Sequence, residues 1–262
     1  MKLINFSGIN AGSWTGKTLR NLLNLIPKGA IFPILQGPAK GMKWIVGSSD
    51  HGCWLGSYES IKQKQLFKYL KPGMVVYDIG AHVGFYTLLL SRAVGSEGMV
   101  YAFEPFPDNV IFLRKHHQLN KLVNIIIEEY AISDANGEVN FYCHHVSNYS
   151  GSIMRINGGD NHRILKVKTI TLDHYVYQHN NHLPDLIKID IEGAEYLALI
   201  GMQNIIKNKN PILLLALHGP DVFHKCCNFL KKFNYHIYDL DGQLIVNYEP
   251  IDEIVAVPSG RE

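Results

Sequence analysis

Several features that would place this chain in a specialised class are missing from its sequence. The four cysteines form no Cys-x-x-Cys pair, which argues against a zinc or redox motif and against a disulfide framework. Lysine and arginine number 25 against 23 acidic residues, without the clustered basic stripe of a nucleic-acid binder. The apolar run near the N-terminus is broken by Pro27, Lys28 and Pro33, so neither a signal peptide nor a membrane span is indicated. We expect a cytoplasmic protein with no nucleic-acid partner and no stable membrane insertion.

Length and composition instead indicate a globular chain with a large core. Apolar residues make up 47% and charged residues 18% of the 262 residues, which is typical of a globular domain. Over most of the chain, helix-like and strand-like segments alternate, as they do in a parallel sheet covered by helices. We predict an N-terminal extension of helix and loop over residues 1–52 and one main domain over residues 53–262.

The strands of the main domain can be predicted one by one. VVYDI and MVYAF read as the first two buried strands, followed by NIIIEEYAI, LIKID and PILLLALHG, with EIVAVP as a terminal strand. The stretch 134–172 changes character, because GEVNFYCHH and ILKVKTITL are extended segments around a polar loop. The predicted fold class is α/β, with a Rossmann-like doubly wound, mostly parallel sheet, a β insertion and the N-terminal extension.

The stretch AGSWTGKT over residues 11–18 ends like a phosphate-binding loop, although alanine stands in place of its first glycine. A working loop needs backbone N–H groups around the phosphates, Lys17 to reach them and Thr18 to hold a magnesium ion. KLINF would be the strand before it and TLRNLLNLI the helix after it, but two prolines follow before any second strand. Nucleotide hydrolysis is therefore an alternative function, and a capped amphipathic helix is the plainer interpretation.

The turn Asp78–Gly84 follows the first predicted strand, where a parallel sheet binds its ligand. A dinucleotide loop has glycines at its first, third and sixth positions, but counting from Gly80 the third is His82 and the sixth is Phe85. NAD is therefore disfavoured. Glu104 ends the next strand, where a carboxylate can accept two hydrogen bonds from a ribose diol. An acid, a glycine loop and a second acid in this order indicate S-adenosylmethionine.

These residues resemble the FkbM-type S-adenosylmethionine-dependent methyltransferases, which are class I Rossmann-like enzymes. The resemblance runs from about Trp54 to Pro258, through WLGSYE, VVYDIGAHVGFYTLLL, VYAFEPFPDN, YAISDANGEVNFY, LIKIDIEGAEYLALIGM and ILLLALH, and KIDIEGAE is its most specific segment. It implies O-methylation of a hydroxyl on a sugar, a polyketide or another secondary metabolite. Members of the family often carry a glutamate two residues before the histidine that follows the fifth strand, whereas this chain has Ala216.

Residues around the glycine turn and the second strand are predicted to bind the cofactor. Gly80 and Gly84 would let the methionine portion approach the backbone, and the helix that opens at residues 85–87 presents N–H groups to its carboxylate. Glu104 would hold the ribose, with Pro105 as a wall near the adenine. The full predicted set is Glu59, Asp78, Gly80, Ala81, His82, Gly84, Phe85, Tyr86, Thr87, Glu104, Pro105, Ala131 and Asp134.

Three members of this set rest on the resemblance. It places Ala131 and Asp134 at the adenine ring and lets Glu59 close over the cofactor. For Asp134 an ordinary turn residue is the alternative interpretation, and for Glu59 it is an exposed acid in the first turn of a helix.

Two residues are predicted to act on the methyl acceptor. Asp190 ends the fourth strand, where class I methyltransferases place groups that meet the acceptor, and His218 follows the fifth strand into the same crevice. An imidazole with a pKa near neutrality is a suitable base for a hydroxyl. A structural histidine is the alternative, and a divalent cation held by Asp190, Glu192 and His218 is the alternative mechanism. Our assignment includes no metal.

The sequence therefore predicts an S-adenosylmethionine-dependent O-methyltransferase of secondary metabolism. Its predicted partner is a small hydroxylated acceptor, framed by residues 1–50 and by the loop at 143–165. A catalytically inactive S-adenosylmethionine-binding module is a further alternative, and homodimer formation is left open.

Overall fold

The computed structural model describes residues 13–143, 151–154, 163–247 and 249–261. Within these residues the chain forms nine helices and thirteen strands. The helices are α1 (Trp14–Leu23), α2 (His51–Leu55), α3 (Ser60–Tyr69), α4 (Phe85–Val94), α5 (Pro107–Asn120), α6 (Leu172–Tyr177), α7 (Glu195–Ile200), α8 (Gln203–Lys209) and α9 (Pro220–Lys232).

The strands are divided among a two-stranded, a four-stranded and a seven-stranded sheet. In chain order they are β1 (Ile31–Pro33), β2 (Lys43–Ile45), β3 (Val75–Ile79), β4 (Met99–Phe103), β5 (Ile125–Glu128), β6 (Ala131–Ile132), β7 (Gly137–Cys143), β8 (Gly151–Ser152), β9 (Arg163–Ile170), β10 (Leu186–Ile189), β11 (Ile212–Ala216), β12 (Tyr235–Tyr238) and β13 (Glu253–Pro258).

The central sheet has the strand order β12-β13-β11-β10-β3-β4-β5. Strands β3, β4, β5, β10 and β11 run parallel, whereas β13 is antiparallel to both of its neighbours. The predicted α/β fold with a mostly parallel, doubly wound sheet is therefore confirmed. The chain order reverses between β3 and β10, and sheets of this kind bind their ligands at that point, beyond the carboxyl ends of the strands.

Each face of the central sheet has its own apolar core. Tyr77 and Ile189 belong to the core that also contains residues of α7, α8 and α9, whereas Val76 belongs to the core with residues of α3 and α4. Burial on both faces explains why these strands read as nearly continuous apolar runs. Cys226 packs in the first core, as its helical spacing predicts.

The predicted β insertion forms a separate sheet of order β6-β9-β7-β8, in which β7 and β9 are antiparallel. One boundary differs from the prediction. NIIIEEYAI was expected as one strand, but β5 ends at Glu128 and β6 pairs with β9 of the small sheet through Ala131 and Thr169. Apolar patterning cannot show this transfer, because both halves of the segment carry apolar residues. Phe106 stacks on Phe141 at 6.0 Å and thereby packs the small sheet against the end of β4.

The N-terminal segment forms α1 and the hairpin of β1 and β2. Gly16, Lys17 and Thr18 lie inside α1, which begins at Trp14, and KLINF lies outside the described residues. The Gly16 N–H donates to Oγ of Ser13, and Oγ1 of Thr18 donates to the Trp14 carbonyl. These groups therefore stabilise the helix itself, as the plainer interpretation predicts. In the part of the chain that the structure covers, no helix has the length and apolar character to cross a membrane.

Candidate functional site

The glycine turn after β3 is held close to the chain that follows β10. Gly80 has φ 74°, and a Cβ atom there would lie 1.9 Å from the carbonyl oxygen of Asp190. A side chain is therefore excluded by contact as well as by backbone conformation. Gly84, with φ 96°, is the N-cap of α4, and a Cβ there would meet Leu113 at 2.6 Å. These two glycines let the turn pass between β10 and α5 with its backbone exposed to the adjoining cleft.

Glu104 is a buried carboxylate at the end of β4. Its two oxygens accept hydrogen bonds from the backbone N–H groups of His82 at 2.8 Å and Phe106 at 2.9 Å, and from the Asn109 side chain at 3.3 Å. Burial raises the pKa of Glu104 to about 7, although the Phe106 and His82 N–H groups oppose the shift. The carboxylate is thus oriented by the backbone and lies at the junction of two cavities.

An apolar cavity begins beside Glu104. Its walls include Pro105, Ala131, Phe141 and Ile153, and Gly80 and Glu104 line both this cavity and a larger open cleft. Asp134 is exposed, accepts a hydrogen bond from Ser133 and does not line either cavity. Its predicted contact with the adenine therefore stays a prediction.

This arrangement fits S-adenosylmethionine. An apolar pocket suits the adenine ring, the Glu104 carboxylate suits a ribose diol, and the turn at Gly80 leaves backbone open to the methionine portion. Ala81, His82, Phe85 and Tyr86 line the cleft beside it, as expected of residues near the cofactor. Bound there, the cofactor supplies an electrophilic methyl group on a sulfonium.

Asp78 lies beneath the turn rather than facing the cleft. It has no exposed surface, its Oδ2 accepts a hydrogen bond from Thr87 at 2.6 Å, and its Oδ1 lies 3.1 Å from the Lys188 ammonium. Lys188 also donates to the Gly80 carbonyl at 2.8 Å. Asp78 and Thr87 therefore hold the turn through Lys188 and the start of α4, and a direct contact of either with the cofactor stays a prediction.

A buried ammonium group gathers three carboxylates, of which Asp190 lines the cleft. Lys62 of α3 is 2% exposed, and its Nζ lies 3.2 Å from Glu59, 3.1 Å from Asp190 and 2.7 Å from Glu253. Glu59 additionally accepts a hydrogen bond from the Tyr86 hydroxyl at 2.7 Å. The predicted site residues Glu59, Tyr86 and Asp190 are therefore connected through a lysine that the sequence analysis did not select.

The three carboxylates come from distant parts of the chain. Glu59 precedes α3, Asp190 follows β10, and Glu253 begins β13. Glu253 is paired across the sheet with Ala216, so both residues face the same side. Ala216 carries no carboxylate, and Glu253 of the neighbouring antiparallel strand β13 supplies one on the same face of the sheet.

His218 lies between a buried carboxylate and the acidic end of β10. Its Nδ1 lies 2.8 Å from Oε1 of Glu195, while its Nε2 lies 3.5 Å from Glu192 and 3.9 Å from Asp190. The same Glu195 oxygen accepts the N–H groups of Ile191 and Gly193, which fixes its position. With Nδ1–H donating to Glu195, Nε2 is the nitrogen directed toward Asp190 and Glu192, both of which line the open cleft.

The charges of this group shift two pKa values in opposite directions. Burial by itself would raise the pKa of Asp190, but Lys62 and Lys188 lower it to about 2. The hydrogen bond to Glu195 raises the pKa of His218 to about 9, with the charges of Glu192 and Asp190 adding to the effect. Asp190 is therefore ionised and His218 protonated at neutral pH.

The structure brings Asp190, Glu192 and His218 together as predicted. Among the residues that the structure describes, no group of three or more histidine, cysteine, aspartate or glutamate side chains is placed to hold a metal ion. The Lys62 ammonium already occupies one side of Asp190. The predicted roles of Asp190 and His218 in catalysis stay predictions.

Lys62, Lys188 and Glu253 were not predicted as site residues from the sequence, and Glu195 was given no role. Lys188 was detectable, because a lysine inside the buried apolar run LIKI requires a partner. Nothing in the local sequence marks Lys62 or Glu253 as a site residue. Lys62 follows an acid by three residues and Glu253 begins a strand, and both patterns are common.

The open cleft is closed on one side by the N-terminal segment. Asn24, Ile26, Lys28, His51 and Tyr58 all line it. The prediction that residues 1–50 frame the acceptor stays a prediction. The second predicted frame, in the loop at 143–165, falls mostly outside the described residues.

Comparisons with known proteins agree with this geometry. A model of the methyltransferase FkbM domain matches residues 78–237, which is more than half of the chain. The hexuronic acid methyltransferase AglP of Haloferax volcanii is 27% identical over 153 residues, 56% of this chain and 57% of that protein. The ribosomal RNA large subunit methyltransferase E of Acinetobacter baumannii is 33% identical over 78 residues, 27% of this chain and 36% of that protein.

A crystal structure of the methyltransferase FkbM from Methylobacillus flagellatus KT is 16% identical, with a TM-score of 0.49, and covers 80% of this chain and 55% of that one. This chain thus spans at most 57% of the length of the curated relatives named here. The family match contains the glycine turn, Glu104, Asp190 and His218. The chain therefore belongs to the FkbM family of S-adenosylmethionine-dependent class I methyltransferases.

Proposed function

We propose that the protein transfers a methyl group from S-adenosylmethionine to a hydroxyl oxygen of a small polyhydroxylated molecule, with a sugar as the favoured acceptor. The observation that carries the proposal is the placement of His218. Glu195 holds one ring nitrogen at 2.8 Å, and the other ring nitrogen points to Asp190 and Glu192 at the cleft. A base oriented by a buried carboxylate is what removal of a hydroxyl proton requires.

The residues of the cleft have separate tasks in this reaction. The turn at Gly80 and the Glu104 carboxylate orient the donor, so that acceptor oxygen, methyl carbon and sulfur can lie in line. Asp190 and Glu192 accept hydrogen bonds from acceptor hydroxyls, since ionised carboxylates are acceptors only. The neutral form of His218 takes the proton from the attacking oxygen at Nε2 as the oxygen–carbon bond forms. S-adenosylmethionine held beside Gly80 and Glu104 would supply the methyl group, and its sulfur would retain the electron pair of the broken carbon–sulfur bond as a thioether.

The charge of the site favours an uncharged acceptor. The carboxylates of Glu59, Asp190, Glu192 and Glu253 are compensated in part by Lys62 and His218. An anionic group beside them would be repelled, whereas hydroxyl groups can donate to the free carboxylate oxygens. The relationship to a hexuronic acid methyltransferase, at 27% identity, supports a sugar acceptor.

A second candidate acceptor atom is the carboxylate oxygen of a uronic acid, because the named relative acts on hexuronic acid. Such an acceptor needs no base, so His218 would be dispensable for it. Methylation of a hydroxyl should therefore depend on His218, whereas methylation of a carboxylate should not.

The proposal is tested with labelled S-adenosylmethionine and a panel of neutral sugars, uronic acids and hydroxylated aromatic compounds. We expect a methyl ether on a neutral sugar, identified by the ¹³C shift of its methyl group, and a large loss of product in His218→Ala. His224→Ala, an exposed histidine on α9, is the matched control. A methyl ester formed equally well by both variants would support the second candidate. Binding of S-adenosylhomocysteine without any product on the panel would support an inactive binding module.

We also propose a cytoplasmic location, because the cysteines of the sequence show no Cys-x-x-Cys pair and no pattern typical of a disulfide framework. Homodimer formation stays a prediction, for which size-exclusion chromatography with light scattering is the measurement.

A further inference from the structure

Exposed apolar side chains are concentrated near the N-terminus. In the 22 residues from 14 to 35, six large apolar side chains face solvent, and Trp14 and Leu25 are 80% and 77% exposed. A folded domain normally buries such side chains or uses them for binding. We call the exposed cationic and large apolar side chains of residues 13–35 the N-terminal face. Its members are Trp14, Lys17, Arg20, Leu22, Leu25, Lys28, Ile31, Phe32 and Leu35.

The same region carries charge of one sign. The first 49 residues contain six lysine or arginine residues and no acidic residue, although the whole chain has nearly equal numbers of both. On the N-terminal face Lys17, Arg20 and Lys28 are all exposed. The ion pairs that the structure describes involve other lysines and arginines. These three cations are therefore not neutralised by acidic side chains of the described chain.

Contacts connect the two parts of the face and lead to the cleft. Asn24, after α1, lies 3.0 Å from the ring of His51, whose ring centre is 6.1 Å from that of Trp54. Trp54 in turn lies 5.8 Å from Phe32 of β1. Ile26 and Lys28, between these two parts, line the open cleft. The face is thus a continuous element at the mouth of the acceptor site.

The chemistry of the face selects among its potential occupants. A second copy of the same face would bring three cations against three cations, as a two-fold interface requires. A nucleic acid would use the cations but would leave Leu22, Leu25 and Ile31 without partners, because phosphates bind charge and aliphatic side chains do not stack on bases. An anionic lipid surface satisfies both features, since its headgroups attract cations and its acyl boundary accepts apolar side chains.

We propose that the N-terminal face docks the protein onto an anionic lipid bilayer, with Trp14, Leu22 and Leu25 entering the interface and Lys17, Arg20 and Lys28 contacting headgroups. Docking of this kind is peripheral and requires no membrane-spanning helix. It also brings the mouth of the cleft to the bilayer, so that the methyl acceptor is presented from a membrane-bound amphiphile. This last consequence rests on the proposed function, whereas the docking itself does not.

The test is co-sedimentation of the full chain with vesicles of phosphatidylcholine containing phosphatidylglycerol, compared with pure phosphatidylcholine. We expect binding to the anionic vesicles that weakens as salt is added. The triple variant Lys17→Gln/Arg20→Gln/Lys28→Gln should lower the partition coefficient by about a hundredfold, at roughly fivefold for each charge. The matched control is Lys166→Gln/Lys168→Gln/Lys207→Gln, three exposed lysines elsewhere in the chain, which should bind as the unchanged protein does.

Tryptophan fluorescence tests the apolar part. Trp44 and Trp54 are buried, so a blue shift on adding anionic vesicles reports Trp14, and Trp14→Phe should abolish it. Thermal unfolding in the absence of vesicles shows that each variant is folded. Absence of sedimentation with anionic vesicles at low salt would overturn the proposal, as would equal loss in the control variant. A dimer that dissociates in Trp14→Ser/Leu25→Ser, without vesicle binding, would assign the face to a second copy. None of these readouts requires methyl transfer, so the docking and the proposed function can fail separately.

Discussion

The two sides of the cleft are built in different ways. On the cofactor side, the glycine turn, the Glu104 carboxylate and the apolar cavity contribute backbone groups, one acid and hydrocarbon walls. On the acceptor side, Lys62 and His218 hold a group of carboxylates whose members lie far apart in the chain. The cofactor side therefore offers a fixed shape to one ligand. On the acceptor side, the charge state of each group depends on the charged side chains around it.

This difference shows in the pKa values. Burial raises the pKa of Glu104 to about 7, because three N–H donors and the charge of Lys188 only partly offset the loss of water. Asp190 is also affected by burial, but Lys62 and Lys188 lower its pKa to about 2. Glu104 thus accepts hydrogen bonds from N–H groups, whereas Asp190 forms an ion pair with Lys62. This difference in partners gives the two carboxylates their different pKa values.

The largest expected effect is on the acceptor side. His218→Ala should reduce turnover by about a hundredfold to ten-thousandfold, because the hydroxyl proton loses its acceptor, while affinity for S-adenosylhomocysteine changes little. Turnover is measured with the acceptor found in the panel, and affinity by calorimetry. Full activity of the variant would leave alignment alone as the catalytic effect.

The pH dependence follows from the same residue. Since the active form of His218 is neutral and its pKa in the free protein is raised to about 9, kcat/KM should increase with pH up to about 9. The residual activity of His218→Ala should lack this rise. A rise of equal size in His218→Ala would show that His218 is not the titrating group, whereas a profile that levels near pH 6.5 and is lost in the variant would show that the pKa of His218 is not raised.

A further prediction concerns Lys62, the cation that holds the carboxylates of the acceptor side together. Lys62→Met leaves Glu59, Asp190 and Glu253 without their common partner, so the unfolding free energy should fall by about 3–5 kcal/mol. Lys64→Met, on the exposed side of the same helix, should change it by less than about 0.5 kcal/mol. The measurement is urea denaturation at pH 7.

A companion variant checks the cause of this loss. Adding Glu253→Gln to Lys62→Met removes one uncompensated carboxylate and should recover part of the stability. If the two lysine variants are equally stable, the acceptor side does not depend on its buried cation, and the contrast with the cofactor side disappears.

The third prediction concerns the cofactor side. Glu104→Gln should weaken S-adenosylhomocysteine binding by about ten- to a hundredfold, because hydrogen bonds from the ribose to a charged acceptor are worth about 1.5–3 kcal/mol. Glu97→Gln, an exposed acid before β4, is the control. Unchanged affinity in Glu104→Gln would contradict the ribose assignment.

The smallest expected effect is the pH dependence of that binding. The ionised form of Glu104 is the better acceptor for a diol, and its pKa is about 7, so affinity for S-adenosylhomocysteine should rise about tenfold between pH 6 and pH 8. Titration calorimetry at several pH values measures this, with Glu104→Gln as the reference that should lack the rise. A rise of equal size in the variant would assign the titration to another group.

The cofactor side was largely predictable because its residues are close in sequence. Gly80, Gly84 and the end of β4 lie in consecutive strand–turn–helix units, and the fold brings the ends of adjacent parallel strands together. Asp78 was predicted to contact the cofactor from its place near a strand end. Its side chain is buried and pairs with Lys188 and Thr87, and a direct contact with the cofactor stays a prediction.

The acceptor side was only partly predictable. Asp190 and His218 follow adjacent strands, and their proximity was expected. Lys62 lies on α3, before the first strand of the central sheet, and Glu253 lies on the antiparallel strand β13. No local sequence pattern connects these two residues. The division of NIIIEEYAI between two sheets was missed for a similar reason, since pairing partners at a distance decide where a buried strand ends.

The sequence by itself determined the alternation of strands and helices, the glycine turn, the carboxylate at the end of the second strand and the family. These depend on hydrophobic period, on positive φ and on short spacing, all of which are local properties. Only the tertiary structure decided which charges meet at Lys62, which nitrogen of His218 is directed toward Asp190 and Glu192, and that the N-terminal segment exposes its apolar residues to solvent. Ion pairing and exposure depend on how distant segments pack, and that information is not carried by neighbours in the chain.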